Sequence, residues 1–131
     1  IPVVQVSMQT ELGTRHHLAL GRALAPLAHE GVLILGSGHM THNLGERSNG
    51  GPAAYVVEFQ HWVKRRIEEH DLEGLADYRK LTPHGVRAHP TDEHFLPLFV
   101  ALGAAREGYK AERLYDGVEM GSLAMDAYLF S

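Results

Sequence analysis

The chain has 131 residues, and its 12 Lys and Arg against 16 Asp and Glu give a formal net charge of −4. This length suits one domain or part of one. A mildly acidic chain with scattered charges gives no electrostatic reason to expect nucleic acid or an anionic membrane as a partner. No apolar run approaches the roughly 18–20 residues of a membrane span, and we expect a cytoplasmic protein.

The chain contains no cysteine but ten histidines. The lack of cysteine excludes disulfides and thiolate metal sites. A transition-metal site would therefore use imidazole and carboxylate ligands, a set that suits Fe(II), Mn(II) or Zn(II).

The first third of the chain predicts a strand, a helix and a second strand. Apolar, β-branched residues favour strands over Val3–Val6 and Val32–Leu35. Leucines at helical spacing predict a helix over Arg15–Glu30, with Gly31 as its C-terminal stop. Such a βαβ unit, with a glycine-bounded apolar run, is typical of a central parallel strand covered on both faces.

The rest of the chain predicts helices over Ala53–His70, around Leu75–Leu81 and over Thr91–Ala105, and then strands over Glu112–Tyr115 and Ser122–Phe130. Pro97 lies inside the third of these helices, so either the regular helix begins there or its first turn is kinked. We expect an α/β fold, with a central, mostly parallel or mixed sheet and helices on both faces.

Several histidines have ordinary structural explanations. His16 and His17 are adjacent, so their side chains point about 100° apart on a helix, and we expect both at the surface. His29 and His70 fall near predicted helix C-termini, where an imidazole can cap free carbonyls. His84 lies in a loop without an evident partner.

His42 and His94 are the candidates for chemistry. His42 lies in a glycine-rich loop, which also holds His39, directly after a predicted strand, where ligands gather in open α/β sheets. It is either a loop histidine bonded to backbone or a general acid–base. His94 falls in a predicted first helical turn, whose N–H groups favour a neutral, metal-ligating ring; the alternative is a residue bonded to Asp92. His89 lies five residues earlier, so at most one of the two need face a site.

Three segments together resemble the DODA-type (DOPA dioxygenase-like) extradiol ring-cleavage dioxygenases of the class III, or LigB-type, superfamily. They are GSGHMTHNL over Gly36–Leu44, HPTDEHFLPLFVALGAA over His89–Ala105 and GVEMGSL over Gly117–Leu123, and the opening VVQVS is similar too. The resemblance covers only the C-terminal half of the family's fold. It implies that residues 1–131 are the C-terminal portion of one catalytic domain, whose N-terminal portion is absent from this chain.

The resemblance implies a non-haem Fe(II) enzyme that opens a catechol ring with O2 to give a muconic semialdehyde-type product. Family members bind the metal through two histidines of the N-terminal half and a third ligand, which by motif matches His94. The histidine of the Thr-His-Asn-Leu segment matches His42, an acid–base close to the metal, and His89 is a weaker candidate. The missing half or a second chain would complete the metal site, and a homo-oligomer stays open as a separate expectation. Zn(II) could replace Fe(II) in a crystal, because it binds such ligands more tightly.

Two other functions stay open. The superfamily fold also resembles Memo-type proteins, which would be non-catalytic binding or signalling proteins. Histidine and carboxylate ligands also suit a zinc-dependent hydrolase. O2 consumption that depends on a catechol would separate the dioxygenase from both.

Overall fold

The computed structural model describes all 131 residues. Its helices are α1 (Gly13–Ala28), α2 (Ala54–Glu68), α3 (Leu72–Ala76), α4 (Tyr78–Leu81), α5 (Gly85–Ala88) and α6 (Leu96–Ala104), with 3-10 turns at Thr10–Leu12 and Leu44–Glu46. Its strands are β1 (Ala111–Tyr115), β2 (Val118–Glu119), β3 (Leu123–Ala124) and β4 (Ala127–Phe130), which form the antiparallel pairs β1–β4 and β2–β3. The mixed α/β class is therefore confirmed.

The central, mostly parallel or mixed sheet that we expected is not formed within this chain. Val3–Val6 and Val32–Leu35 have no regular secondary structure and join neither antiparallel pair. Apolar side chains in both segments are at least 80% exposed, namely those of Val3, Val4, Leu33 and Leu35. A strand exists only where a neighbour satisfies its backbone N–H and C=O groups, and neither segment has such a neighbour here.

The long helices lie close to their predicted positions. Gly31 has a φ of +83°, the left-handed conformation expected just beyond the end of a helix. The regular helix α6 begins at Leu96, with Pro97 in its first turn, so proline marks the helix start rather than a kink inside it. His94 consequently lies in the turn before α6, and our placement of it in the first helical turn was wrong.

Glycines allow α1 and α6 to cross closely. A Cβ atom on Gly21 of α1 would collide with the carbonyl oxygen of Val100, and one on Gly103 of α6 would collide with that of Leu18. Helix α6 is apolar on nearly all sides and mostly buried, as a helix in the centre of a core should be. It is nine residues long, and no helix combines the length and the apolar character that crossing a membrane requires.

An aromatic core lies beneath the loop that carries His42. Phe59 of α2 contacts Phe95, with ring centroids 5.6 Å apart, and Phe95 contacts Tyr78 at 4.9 Å and Phe99 at 5.2 Å. All four rings are fully buried. Because Phe95 follows His94 directly in the chain, this core fixes the backbone from which His94 projects.

Candidate metal centre

Three histidines from two separate segments form one cluster. His39, His42 and His94 each offer one ring nitrogen, and these nitrogens all lie within 4.8 Å of one another. The rings of His42 and His94 are stacked, with centroids 3.6 Å apart. The ring of His39 lies 5.1 Å from that of His42 and 5.5 Å from that of His94. The structure thus brings together the two histidines that we singled out and adds His39 to them.

Glycines let the loop of His39 and His42 lie directly on the backbone of the His94 segment. The amide of His39 donates a hydrogen bond of 2.8 Å to the carbonyl oxygen of His94. A Cβ atom on Gly38 would collide with that same oxygen, and one on Gly36 would collide with the carbonyl of Pro97. The Gly-Ser-Gly sequence is therefore required by a close backbone approach rather than by a turn.

Thr41 fastens the same loop to strand β3. Its hydroxyl donates to the carbonyl oxygen of Ser122 and accepts from the amide of Ala124, each at 2.8 Å, and the residue is fully buried. The amide of Met40 adds a hydrogen bond of 3.0 Å to the carbonyl of Ala124. Ser122 belongs to the Gly117–Leu123 segment, so this C-terminal segment holds the histidine loop in place by hydrogen bonds.

His42 and Asn43 are held by backbone bonds on either side. The amide of His42 donates a hydrogen bond of 2.8 Å to the carbonyl of Ala88. The side chain of Asn43 donates one of 2.8 Å to the carbonyl of Arg87. The hydroxyl of Ser122 donates a hydrogen bond of 3.0 Å to the carbonyl of Asn43. All three segments that carry the family resemblance therefore meet around one histidine cluster.

The surroundings of His39 and His42 favour neutral imidazoles. Burial is the main cause that lowers the pKa of His42, and the neighbouring His94 and His39 lower it further. Burial also lowers the pKa of His39, with His94 as the second cause. A neutral ring keeps the nitrogen lone pair that a metal ion or a transferred proton needs.

These residues fit a divalent transition metal. Imidazole is a ligand for iron and zinc, and three imidazole nitrogens lie close enough to approach one ion. The Nδ1 atom of His39 is buried and has no hydrogen-bond partner in the protein. A carboxylate oxygen of Glu93 lies 3.9 Å from Nε2 of His94, which adds a negative charge beside the cluster.

His89, the weaker candidate, does not belong to the cluster. It is fully buried, and its Nε2 lies 2.8 Å from the carbonyl oxygen of Met40. Of the two histidines His89 and His94, only the second contributes to the group of three, in line with the expectation that at most one need face a site.

His17 corrects one of our surface assignments. It is fully buried, its Nδ1 lies 2.6 Å from the carbonyl of Gly13, and its Nε2 accepts a bond of 3.2 Å from the amide of Gln9. The adjacent positions do point apart, and His17 faces the interior of the protein. His84 has a partner after all, because its Nε2 lies 2.5 Å from a carboxylate oxygen of Glu58 on α2.

His39 is the site residue that we did not select from the sequence. One signal for it exists, since it lies three residues before His42 in the same loop. A loop has no fixed periodicity, however, so spacing alone does not tell which of its side chains share a direction. The direction follows from the hydrogen bond between the His39 amide and the His94 carbonyl, which is a long-range contact.

Known proteins are similar to this chain over most of its length. Residues 1–127 match the family model of the catalytic LigB subunit of aromatic ring-opening dioxygenase. The chain is 41% identical over 137 residues to a 4,5-DOPA dioxygenase extradiol of Beta vulgaris, covering 100% of this chain and 50% of that protein. It is 33% identical over 134 residues to a protein of the same name from Escherichia coli K12, covering 95% of this chain and 48% of that protein.

A crystal structure of an uncharacterised protein from Escherichia coli K12 is also similar, with a TM-score of 0.87 and 33% sequence identity over 98% of this chain and 55% of that one. The chain thus spans about half the length of the curated relatives it matches. The match over nearly all its residues confirms the resemblance carried by the three segments around the histidine cluster: the chain belongs to the LigB family of aromatic ring-opening dioxygenases.

Proposed function

We propose that the protein is an extradiol ring-cleavage dioxygenase that opens a catechol-type ring with O2 at a non-haem Fe(II) site, giving a muconic semialdehyde-type product. One observation carries the proposal: three family-like segments, distant in sequence, meet where His42 and His94 stack 3.6 Å apart. The names of the relatives from Beta vulgaris and Escherichia coli support a catechol of the DOPA type as the substrate class.

In this proposal, residues 1–131 are the C-terminal portion of one catalytic domain. The relatives extend over about twice the matched length. Large exposed apolar surfaces mark sites that another part of a protein covers, and Val3, Val4, Leu33 and Leu35 are each at least 80% exposed. Protein beyond these residues would cover the two apolar segments and supply further metal ligands.

His94 is the proposed metal ligand of this chain, and His39 offers a further imidazole beside it. When bound, Fe(II) supplies a Lewis acid that lowers the pKa of the catechol hydroxyls and a redox-active centre for reaction with O2. The position of His94 does not depend on a flexible loop, because the next residue, Phe95, is anchored in the aromatic core.

His42 is the proposed acid–base. Its lowered pKa keeps the ring neutral near neutral pH, so that it accepts a proton from a substrate hydroxyl. Once protonated, the ring can return that proton to the product. Its backbone is fixed by the carbonyl of Ala88, and its neighbour Thr41 is fixed by β3, so the base keeps its position during the transfer.

The test is O2 uptake by the complete protein after anaerobic reconstitution with Fe(II). With L-DOPA or a simpler catechol, we expect consumption of one O2 per ring opened and the absorbance of a semialdehyde product. Metal binding without O2 uptake for any catechol would contradict the proposal and favour a non-catalytic relative. Ester hydrolysis that needs no O2 would instead favour a zinc hydrolase.

A further inference from the structure

His89 is a buried histidine that the proposed chemistry does not use. It directly follows α5, and its amide donates a hydrogen bond of 3.1 Å to the carbonyl of Gly85. Its ring is fully buried and stacks on that of Phe95, with centroids 4.6 Å apart and planes inclined by 21°. Burying a polar ring costs free energy unless the ring is hydrogen-bonded. The contacts of His89 should therefore explain why a histidine lies here.

The hydrogen bond of the ring determines its tautomer. The carbonyl oxygen of Met40 can only accept, so Nε2 of His89, 2.8 Å away, carries the proton and donates it. Nδ1 is then the unprotonated nitrogen, and it is buried without a partner. Burial lowers the pKa of His89 to about 4, so the ring stays neutral at physiological pH. His89 also lies outside the group of three histidines whose ring nitrogens could share one ion.

Both contacts of the His89 ring lead to residues beside the cluster. Met40, which accepts the hydrogen bond, lies between His39 and His42 in the chain. Phe95, which the ring stacks on, directly follows His94. One rigid side chain therefore touches the backbone of the loop on one side and the anchor of His94 on the other.

The backbone of His89 is itself fixed. Its carbonyl oxygen accepts a hydrogen bond of 2.8 Å from the guanidinium of Arg79. The preceding residue, Ala88, accepts the amide hydrogen bond of His42 at 2.8 Å. The backbone that carries the His89 ring is thus held by hydrogen bonds. This fixes the direction of the ring relative to the loop of His39 and His42.

We propose that His89 is a positioning residue, which sets the stacking of His42 on His94 through its hydrogen bond to the Met40 carbonyl and its contact with Phe95. It binds neither metal nor substrate. The inference rests on the proposed function in one respect, since it takes His42 and His94 as the residues that act on the substrate.

The test compares two donor losses in the complete protein. His89→Phe keeps an aromatic ring against Phe95 and removes the donor to Met40. Tyr109→Phe is the matched control, because the Tyr109 hydroxyl also donates from a buried side chain to a backbone carbonyl, that of Ile67 at 2.9 Å. That second bond joins no residue of the cluster.

Two readouts are needed, one of them independent of metal and turnover. In the metal-free protein, NMR signals of the His42 and His94 ring protons report their stacking; we expect both to shift in His89→Phe and neither to shift in Tyr109→Phe. In the Fe(II) enzyme, we expect kcat to fall about 10- to 100-fold in His89→Phe only, the usual loss when an outer-shell partner is removed. His89→Gln, which keeps an N–H donor, should recover most of kcat.

Equal ring signals and equal kcat in His89→Phe and Tyr109→Phe would overturn the proposal. If His89→Phe cannot be purified, His89→Leu replaces it as the variant without a donor, with the same expected shifts. If the wild-type protein cleaves no catechol, the proposed function fails, and the NMR comparison still decides whether His89 positions the two rings. The two failures are therefore distinguishable.

Discussion

The imidazoles of His42 and His94 are stacked, with centroids 3.6 Å apart and planes inclined by 25°. Two imidazolium ions at this distance would repel each other, and the neighbouring His94 is one of the causes, after burial, that lower the pKa of His42. Such a pair suits two different roles, in which His94 binds the metal and His42 exchanges protons.

These two roles predict different effects for the substitutions His42→Ala and His94→Ala. His42→Ala in the Fe(II)-loaded complete protein should keep its metal and lose about 100- to 10,000-fold in kcat, the usual loss on removing a general acid–base. His94→Ala should lose metal affinity by more than the roughly 10- to 100-fold that loss of an outer-shell partner costs. Metal titration and steady-state O2 uptake measure the two effects.

His61→Ala is the control for these substitutions, because His61 is an exposed histidine on α2 outside the cluster. It should match the wild type in both measurements. A His42→Ala enzyme with unchanged kcat would remove His42 from the mechanism, and a His94→Ala protein with unchanged metal affinity would remove His94 from the ligand set.

Gly38→Ala should disturb the site without touching any histidine side chain. The added Cβ would collide with the carbonyl oxygen of His94 and push the loop away from it. We expect unfolding in urea to show a loss of about 1–3 kcal/mol, the usual range for overpacking, together with reduced kcat. Gly51→Ala is the matched control, because a Cβ there meets nothing within 4 Å. Equal stability of the two variants would show that the close approach is not needed.

Thr41→Val should distinguish the contribution of the Thr41 hydroxyl to stability from that of the side-chain volume. The substitution keeps the volume and removes both the donor to Ser122 and the acceptor for Ala124. Two buried backbone groups lose their partner, so we expect the free energy of unfolding to fall by about 2 kcal/mol. Thr41→Ser keeps the hydroxyl and should lose clearly less. A serine variant as unstable as the valine variant would assign the effect to packing alone.

His89 should make the metal-free protein less stable in mild acid. Its pKa is about 4 in the folded protein and 6.5 in the absence of the fold, so between these values the unfolded chain binds more protons. The free energy of unfolding therefore falls as the pH drops from 6.5 towards 4, at up to about 1.4 kcal/mol per pH unit.

Urea unfolding at pH 7 and pH 5 measures this effect. Wild type should lose about 1–2 kcal/mol more than His89→Phe between the two values, because the variant lacks the titrating ring. The comparison cancels the carboxylates that titrate in the same range in both proteins. An identical loss in both would mean that His89 is not held neutral by burial.

Local patterns in the sequence determined the helices and the chemical character of the site. Apolar spacing located α1 and α2, and the placement of Pro97 limited where α6 begins, because these signals depend on residues within a few positions of one another. The glycine-rich loop and the turn before α6 also pointed to His42 and His94, since the segments that carry them resemble one family.

Contacts between distant residues decided the rest. Val3–Val6 and Val32–Leu35 have strand-like sequences, yet a strand requires partners that local sequence does not supply, and these segments remain outside both sheets. His39 joins the cluster because its amide reaches the carbonyl of His94, 55 positions away by numbering. His89 turns inward to Met40 for the same reason: the direction of a side chain outside a regular helix is fixed by the bonds that the folded backbone offers.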